Sequence, residues 1–296
     1  MMNFPIDYDY PLFRPPSEAN SIIFQVTYGC SWNNCKFCEM YKTKSFRIKS
    51  EEQIANEISR FKSQTNFPVK IFLADGDSFI LSPKKLHKII ENLNSAFPKI
   101  QRISAYALPK NINSKSIEEL KLLREAGIKI LYIGVESGDD ELLKLINKGE
   151  TYNSTLDALL KLKAAGIKSS VMFLNGLGGK KFTEQHAENS AKLITASQPD
   201  FFSTLVLSFP FGEEHYSSQL DGNYFRMSQT DLFKELYTMI DKSILENSIF
   251  RSDHASNYLI LKGILSRDKD SMLEKLNHAI NKDGNVKLRE EWQRGL

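Results

Sequence analysis

Three cysteines, the only ones among 296 residues, fall within one short stretch: Tyr28-Gly29-Cys30-Ser31-Trp32-Asn33-Asn34-Cys35-Lys36-Phe37-Cys38-Glu39-Met40-Tyr41. Three thiols cannot all pair as disulfides. The N-terminus, Met1-Met2-Asn3-Phe4-Pro5, has neither the basic nor the apolar region of a secretory signal, so a reducing, cytoplasmic setting is expected. Metal ligation is then the leading chemistry. A structural zinc site closes with four ligands, and an electron-transfer [4Fe–4S] cluster takes four thiolates. The nearest histidine, His87, lies far downstream within a helical pattern. Three thiolates without an evident fourth point to a cubane with one iron left open, where a substrate or cofactor binds. A zinc knuckle completed by a distant histidine is the alternative.

The elements that must position such a loop are legible in the hydrophobic pattern. Strand-like runs are Ile22–Val26, Val69–Ala74, Ile100–Leu108, Ile128–Val135, Ile167–Leu174 and Phe201–Leu207. Between them lie helical patterns with clear start signals: Ser50-Glu51-Glu52-Gln53, Ser82-Pro83 and Ser116-Ile117-Glu118-Glu119. Further helices are expected up to Gly149, over Ser154–Ala165, over Thr183–Ser197 and over Ser228–Glu246. Six strand–loop–helix units in succession predict an α/β fold with parallel strands and right-handed crossovers. A partial (β/α)6 TIM-like barrel fits this alternation, and a doubly wound sheet fits it too. In either, active residues belong on loops after the carboxyl ends of strands. The cysteine loop, Asp75-Gly76-Asp77, Glu136-Ser137 and Asn175–Gly179 all fall there. An N-terminal arm is expected over 1–20, broken by Pro5, Pro11, Pro15 and Pro16, then the barrel over 21–247 and a C-terminal extension over 248–296.

Bulk properties narrow the partners. A composition 41% hydrophobic and 25% charged is that of a globular chain, and a net charge of +3 with no basic block argues against nucleic acid. No apolar run approaches the length of a membrane span. A small-molecule substrate is expected.

The cysteine stretch resembles the cluster loop of the radical S-adenosylmethionine (radical SAM) superfamily, whose usual pattern is Cys-x3-Cys-x2-Cys with an aromatic residue before the last cysteine. Phe37 holds that aromatic place, while Ser31-Trp32-Asn33-Asn34 puts four residues, not three, between the first two cysteines. Leu73-Ala74-Asp75-Gly76-Asp77 is similar to the turn whose backbone holds the SAM amino group. Ile133-Gly134-Val135-Glu136-Ser137-Gly138 and Leu145-Ile146-Asn147-Lys148-Gly149 are similar to the family's fourth strand and following helix. Leu174-Asn175-Gly176-Leu177-Gly178-Gly179 resembles the glycine-containing strand end against the adenine. Arg14-Pro15-Pro16-Ser17-Glu18-Ala19, Phe250–Leu259 and Glu291-Trp292-Gln293-Arg294-Gly295-Leu296 resemble a stand-alone subfamily often labelled oxygen-independent coproporphyrinogen oxidase-like.

This resemblance implies one [4Fe–4S] cluster on Cys30, Cys35 and Cys38, with S-adenosylmethionine chelating the open iron. It implies a one-electron donor such as flavodoxin or ferredoxin, and reductive SAM cleavage to a radical that takes hydrogen from the substrate. Phe37, Gly76, Asp77, Ser104, Tyr106, Glu136, Ser137 and Asn175 are the expected cofactor contacts, Glu136 toward the ribose hydroxyls. With every cysteine used by the first cluster, methylthiotransfer and auxiliary-cluster reactions are not expected. A cobalamin-binding domain ahead of residue 20 is not expected either. Arg251, Asp253, His254, Asn257 and Tyr258 form a polar group after the sixth unit. The extension carrying them is expected to close the barrel, with Arg251, His254 and Tyr258 acting on substrate. A tetrapyrrole, a modified nucleobase or another heterocycle fits as substrate, in an oxidoreductase or lyase reaction. The alternatives are a non-catalytic SAM- and cluster-binding or haem-handling protein on the same fold, and a zinc-stabilised TIM-like protein.

Overall fold

The computed structural model describes residues 6–62, 68–97 and 99–294. The first five residues of the expected arm and Gly295-Leu296 of the tail motif lie outside them. The strands and helices run β1 (Ile22–Gln25), β2 (Thr27–Tyr28), β3 (Arg47–Ile48), α1 (Glu51–Lys62), β4 (Val69–Ala74), α2 (Pro83–Ala96), β5 (Ile100–Tyr106), α3 (Pro109–Asn113), α4 (Ile117–Ala126) and β6 (Ile128–Glu136). They continue with α5 (Asp140–Leu145), α6 (Tyr152–Ala165), β7 (Lys168–Asn175), α7 (Gly179–Ser197), β8 (Phe201–Val206), α8 (Glu213–Gln219), α9 (Gln229–Lys242), β9 (Ile249–Ser252), β10 (Leu261–Ile264) and α10 (Leu265–Asn281).

The chain divides into two compact units. The first comprises Met1–Asn33, Cys38–Ile133 and Leu160–Ser169, the second Asn34–Phe37, Gly134–Leu159 and Ser170–Leu296. In the first, parallel pairing gives the order β1-β4-β5-β6. β4 has five of its six residues buried, the pattern of a parallel strand covered on both faces. In the second, β7, β8 and β9 are parallel and β10 returns antiparallel to β9. The α/β class expected from the alternation is the class observed.

Helix starts follow their capping residues. Ser82 accepts from the Lys85 N–H ahead of Pro83, and Ser116 and Ser228 form reciprocal capping boxes with Glu119 and Asp231. Some ends fall short of the pattern. α5 stops at Leu145 rather than at Gly149, because Asn147 enters the left-handed region at φ 52°. α9 stops at Lys242 because Ser243 is extended and its hydroxyl donates back to the Met239 carbonyl at 2.6 Å. The first predicted strand, Ile22–Val26, is β1 to within one residue, and the separate β2 beyond it pairs antiparallel with β3.

A buried cluster of Leu142, Leu143, Ile146, Leu174, Leu177, Phe182, Leu207, Tyr216, Leu220 and Tyr224 binds α5, α7 and the strand ends of the second unit together. Each such side chain removed from water contributes about 1.5–3 kcal/mol, which fixes the loops that emerge beside it. Among the described residues no helix is long and apolar enough to cross a membrane.

Candidate functional site

In the first unit, parallel register (Gln25 opposite Ala74, Leu73 opposite Ala105) sets the carboxyl ends of β1, β4 and β5 along one edge. The cysteine loop follows β2, and the Asp75–Ser78 turn follows β4. Asp75, fully buried, joins the two: its Oδ2 accepts from the Gln25 amide at 3.2 Å, the Gly29 N–H at 3.1 Å and the Lys44 ammonium at 2.8 Å. Its own N–H donates to Thr27 Oγ1 at 3.2 Å.

Gly76 has no room for a side chain, since a Cβ would sit 2.6 Å from the Tyr41 ring. Asp77 is buried too. Its carboxylate accepts from the Ser31 hydroxyl, next to Cys30, from the Asn111 amide and from the Leu108 N–H at 3.4 Å. Burial pushes its pKa up to about 6 against these donors. The Ser104 hydroxyl is spent on the Ile71 carbonyl at 3.2 Å, and Tyr106 packs edge-on to Phe72 with ring centres 5.1 Å apart. Within the loop, Asn33 turns left-handed at φ 44° and its amide donates to the Tyr41 carbonyl at 2.8 Å.

No cysteine is in a disulfide; Cys35 is buried and Cys30 and Cys38 are partly exposed. Among the described residues no three His, Cys, Asp or Glu side chains converge as metal ligands do.

In the second unit, the Lys36 N–H donates to the Ile146 carbonyl at 2.8 Å, and Phe37 packs on the Leu142–Leu177 cluster. Glu136 ends β6 in the left-handed region (φ 67°) with its side chain buried. Its Oε1 accepts from the Lys148 ammonium at 3.0 Å, whereas Oε2 is buried with no hydrogen-bond partner among the described residues. Gly134 makes this possible, because a Cβ there would lie 2.2 Å from Glu136 Oε1. The Ser137 hydroxyl meets His186 Nδ1 at 2.8 Å. Asn175, at the end of β7, donates to the Leu232 carbonyl at 3.2 Å and to Glu235 Oε1 at 2.7 Å.

Register also puts the end of β9 on the same edge as those of β7 and β8, so Asp253–Tyr258 emerges beside Asn175 and Leu207. Asn257 clamps β8 there: Oδ1 accepts the Val206 N–H at 2.9 Å and Nδ2 donates to the Thr204 carbonyl at 2.8 Å. His254 Nδ1 accepts the Ser256 N–H at 3.1 Å, and burial together with Arg289 holds the imidazole below its ordinary pKa. Arg294 stacks over Tyr258 at 3.8 Å. Arg251 instead lies within β9 opposite Ser203, exposed, 5.7 Å from the Phe201 ring centre.

Three partners escaped the sequence reading. Lys148 sits between left-handed Asn147 and Gly149, a turn signal with no hint of an ion pair. His186 and Glu235 fall on buried helix faces, where the pattern alone gives no sign of a polar contact.

A family model described as the Radical SAM superfamily matches residues 24–194, more than half of the chain. The heme chaperone HemW of Bacillus subtilis is 24% identical over 181 residues, 58% of this chain and 47% of that protein. The 4'-phospho-dehydrooxetanocin synthase of Priestia megaterium is 28% identical over 172 residues, 52% of this chain and 23% of that protein. The chain thus spans about half or less of the length of these relatives. Native anSMEcpe, solved with bound AdoMet, superimposes with a TM-score of 0.56 at 16% identity, covering 74% of this chain and 58% of its own. At that identity the likeness is one of fold, the partial (β/α)6 TIM-like barrel expected from the sequence. With the cysteine loop, Glu136 and the β7 turn all inside the matched region, the chain belongs to the radical SAM superfamily.

Proposed function

We propose that this chain is a radical SAM enzyme acting on a small organic substrate, with one [4Fe–4S] cluster and S-adenosylmethionine as its cofactors. The types of donor present suit both groups, although the three thiols do not converge as ligands among the described residues. Three thiols on one loop, none of them in a disulfide and two partly exposed, suit the donor set of a cluster with one open iron. The observation that carries the SAM assignment is Glu136 Oε2, a buried acceptor without a donor among the described residues, which suits a ribose hydroxyl. Bound together, the cluster and SAM supply one-electron cleavage of the sulfonium and hydrogen abstraction from substrate.

The chain's own residues hold and orient. Cys30, Cys35 and Cys38 ligate; Lys148 keeps one Glu136 oxygen occupied so that the other faces the ligand; Gly76 lets the β4 turn come close. Arg251, His254 and Tyr258 are proposed substrate contacts, His254 as a neutral imidazole with its proton on Nε2. The electron donor is proposed to be a flavodoxin or ferredoxin, in a cytoplasmic setting, and the substrate a tetrapyrrole, modified nucleobase or other heterocycle.

The test is anaerobic reconstitution with iron and sulfide, then dithionite and SAM, with 5′-deoxyadenosine quantified. Release that disappears in Cys35→Ala supports the reading. Zinc in place of iron, with no release, overturns it. The likeness to HemW favours a second reading, a haem-handling protein on this fold. Stoichiometric haem binding without 5′-deoxyadenosine release would select it.

A further inference from the structure

Glu235, on α9, gathers donors from two other elements. Its side chain is fully buried. Oε1 accepts from the Asn175 amide at 2.7 Å and from the Gly176 N–H at 2.6 Å, and Oε2 accepts from the Thr183 hydroxyl at 2.7 Å. His186, on α7, faces the same carboxylate with Nε2 3.8 Å from Oε1. On its other side, His186 Nδ1 lies 2.8 Å from Ser137 Oγ. The same hydroxyl oxygen accepts the Asp139 N–H at 3.0 Å, which ties the imidazole to the turn after β6. His186 Nε2 is buried and has no hydrogen-bond partner among the described residues.

The chain Ser137–His186–Glu235–Asn175 therefore runs from the turn after β6 to the turn after β7 through two helices. A buried charge is a poor source of stability in itself. What this one does is fix particular groups: the side chain of Asn175, the N–H of Gly176 (φ 86°), and, through the imidazole, the residue next to Glu136.

We propose that Glu235 is a positioning residue for the adenosyl half of S-adenosylmethionine, setting the Asn175–Gly176 turn directly and the Glu136–Ser137 turn through His186. This rests on the radical SAM reading of the site. Glu235 touches no ligand in this account; it acts through the two turns.

The experiment is calorimetric binding of S-adenosylhomocysteine and of free methionine to the full reconstituted chain. Glu235→Ala is expected to weaken S-adenosylhomocysteine about tenfold or more and to leave methionine unchanged. Glu235→Gln keeps an acceptor for Asn175 and Gly176 and is expected to restore most of the loss. A Glu235→Ala protein with a lowered melting temperature but unchanged S-adenosylhomocysteine affinity overturns the proposal, since Glu235 then only stabilises. If Glu235→Ala does not fold, Thr183→Val, which removes the donor to Oε2, replaces it. Weakening of S-adenosylhomocysteine alone supports the proposal, and unchanged affinity overturns it. Wild-type protein that binds neither S-adenosylhomocysteine nor S-adenosylmethionine overturns the radical SAM reading itself, before any Glu235 variant is compared.

Discussion

The Lys148 ammonium lies 3.0 Å from one oxygen of Glu136 and leaves the other buried, with no partner among the described residues. Both side chains are nearly excluded from water, at 5% and 6% exposure, so neither charge is tolerated alone. Lys148→Met is expected to cost about 3–5 kcal/mol, read from urea unfolding. Adding Glu136→Gln is expected to recover part of that cost, because the stranded charge is gone. A double variant no more stable than Lys148→Met would show that the ion pair is not the source.

Asp77 gives a pH signature. Its carboxyl, raised by burial from the ordinary 3.8 to about 6, holds its proton more tightly folded than unfolded. The stability this group contributes is full below about pH 4 and is lost as pH rises through about 6, a span of at most roughly 3 kcal/mol. Asp77→Asn cannot titrate. The wild type should therefore lose stability relative to this variant between pH 4 and 6.5 and run parallel to it above. A difference constant across the whole range would count against the assignment.

Two glycines separate clash from strain. A Cβ on Gly138 would meet the Asn189 carbonyl oxygen at 2.4 Å, inside the backbone of α7, although its φ is ordinary. Gly212 has φ 87° and nothing within 4 Å. Gly138→Ala is expected to cost about 1–3 kcal/mol by overpacking, and Gly212→Ala about 1–2 kcal/mol by backbone strain alone. Melting temperatures of the two variants test the order.

The tail braces the Asp253–Tyr258 loop. Buried Arg294 donates to the Ser256 carbonyl at 2.8 Å and stacks on Tyr258, while Arg289 donates to the carbonyls of Asn257 at 3.1 Å and Asp253 at 3.2 Å. In Arg294→Ala, amide hydrogen exchange over residues 253–258 should quicken while β7 and β8 stay protected. Equal protection in that loop would place its order elsewhere.

What the sequence disclosed, and what it withheld, divide along a physical line. β4 was readable to the residue because its apolar run, interrupted only by half-buried Lys70, is ended by Asp75-Gly76. The starts of α2, α4 and α9 were readable from Ser82, Ser116 and Ser228, whose partners lie three positions away. Glu235 and Asn175 are 60 positions apart, and Lys44 and Asp75 are 31 apart. Such pairs exist only once the fold has brought them together. β9 and β10 are not legible either, since four residues each are too few for a hydrophobic period to show.

Asn33 carries one more consequence. The cysteine loop is one residue longer than the family's usual spacing, yet Gly29 and Ser31 remain tied to Asp75 and Asp77 on the near side of Asn33. The left-handed turn at Asn33, held by the Tyr41 carbonyl, follows those ties. The start of the loop is thus fixed to the β4 turn before Asn33 is reached, and the stretch after it is anchored separately, by the Lys36 N–H on the Ile146 carbonyl.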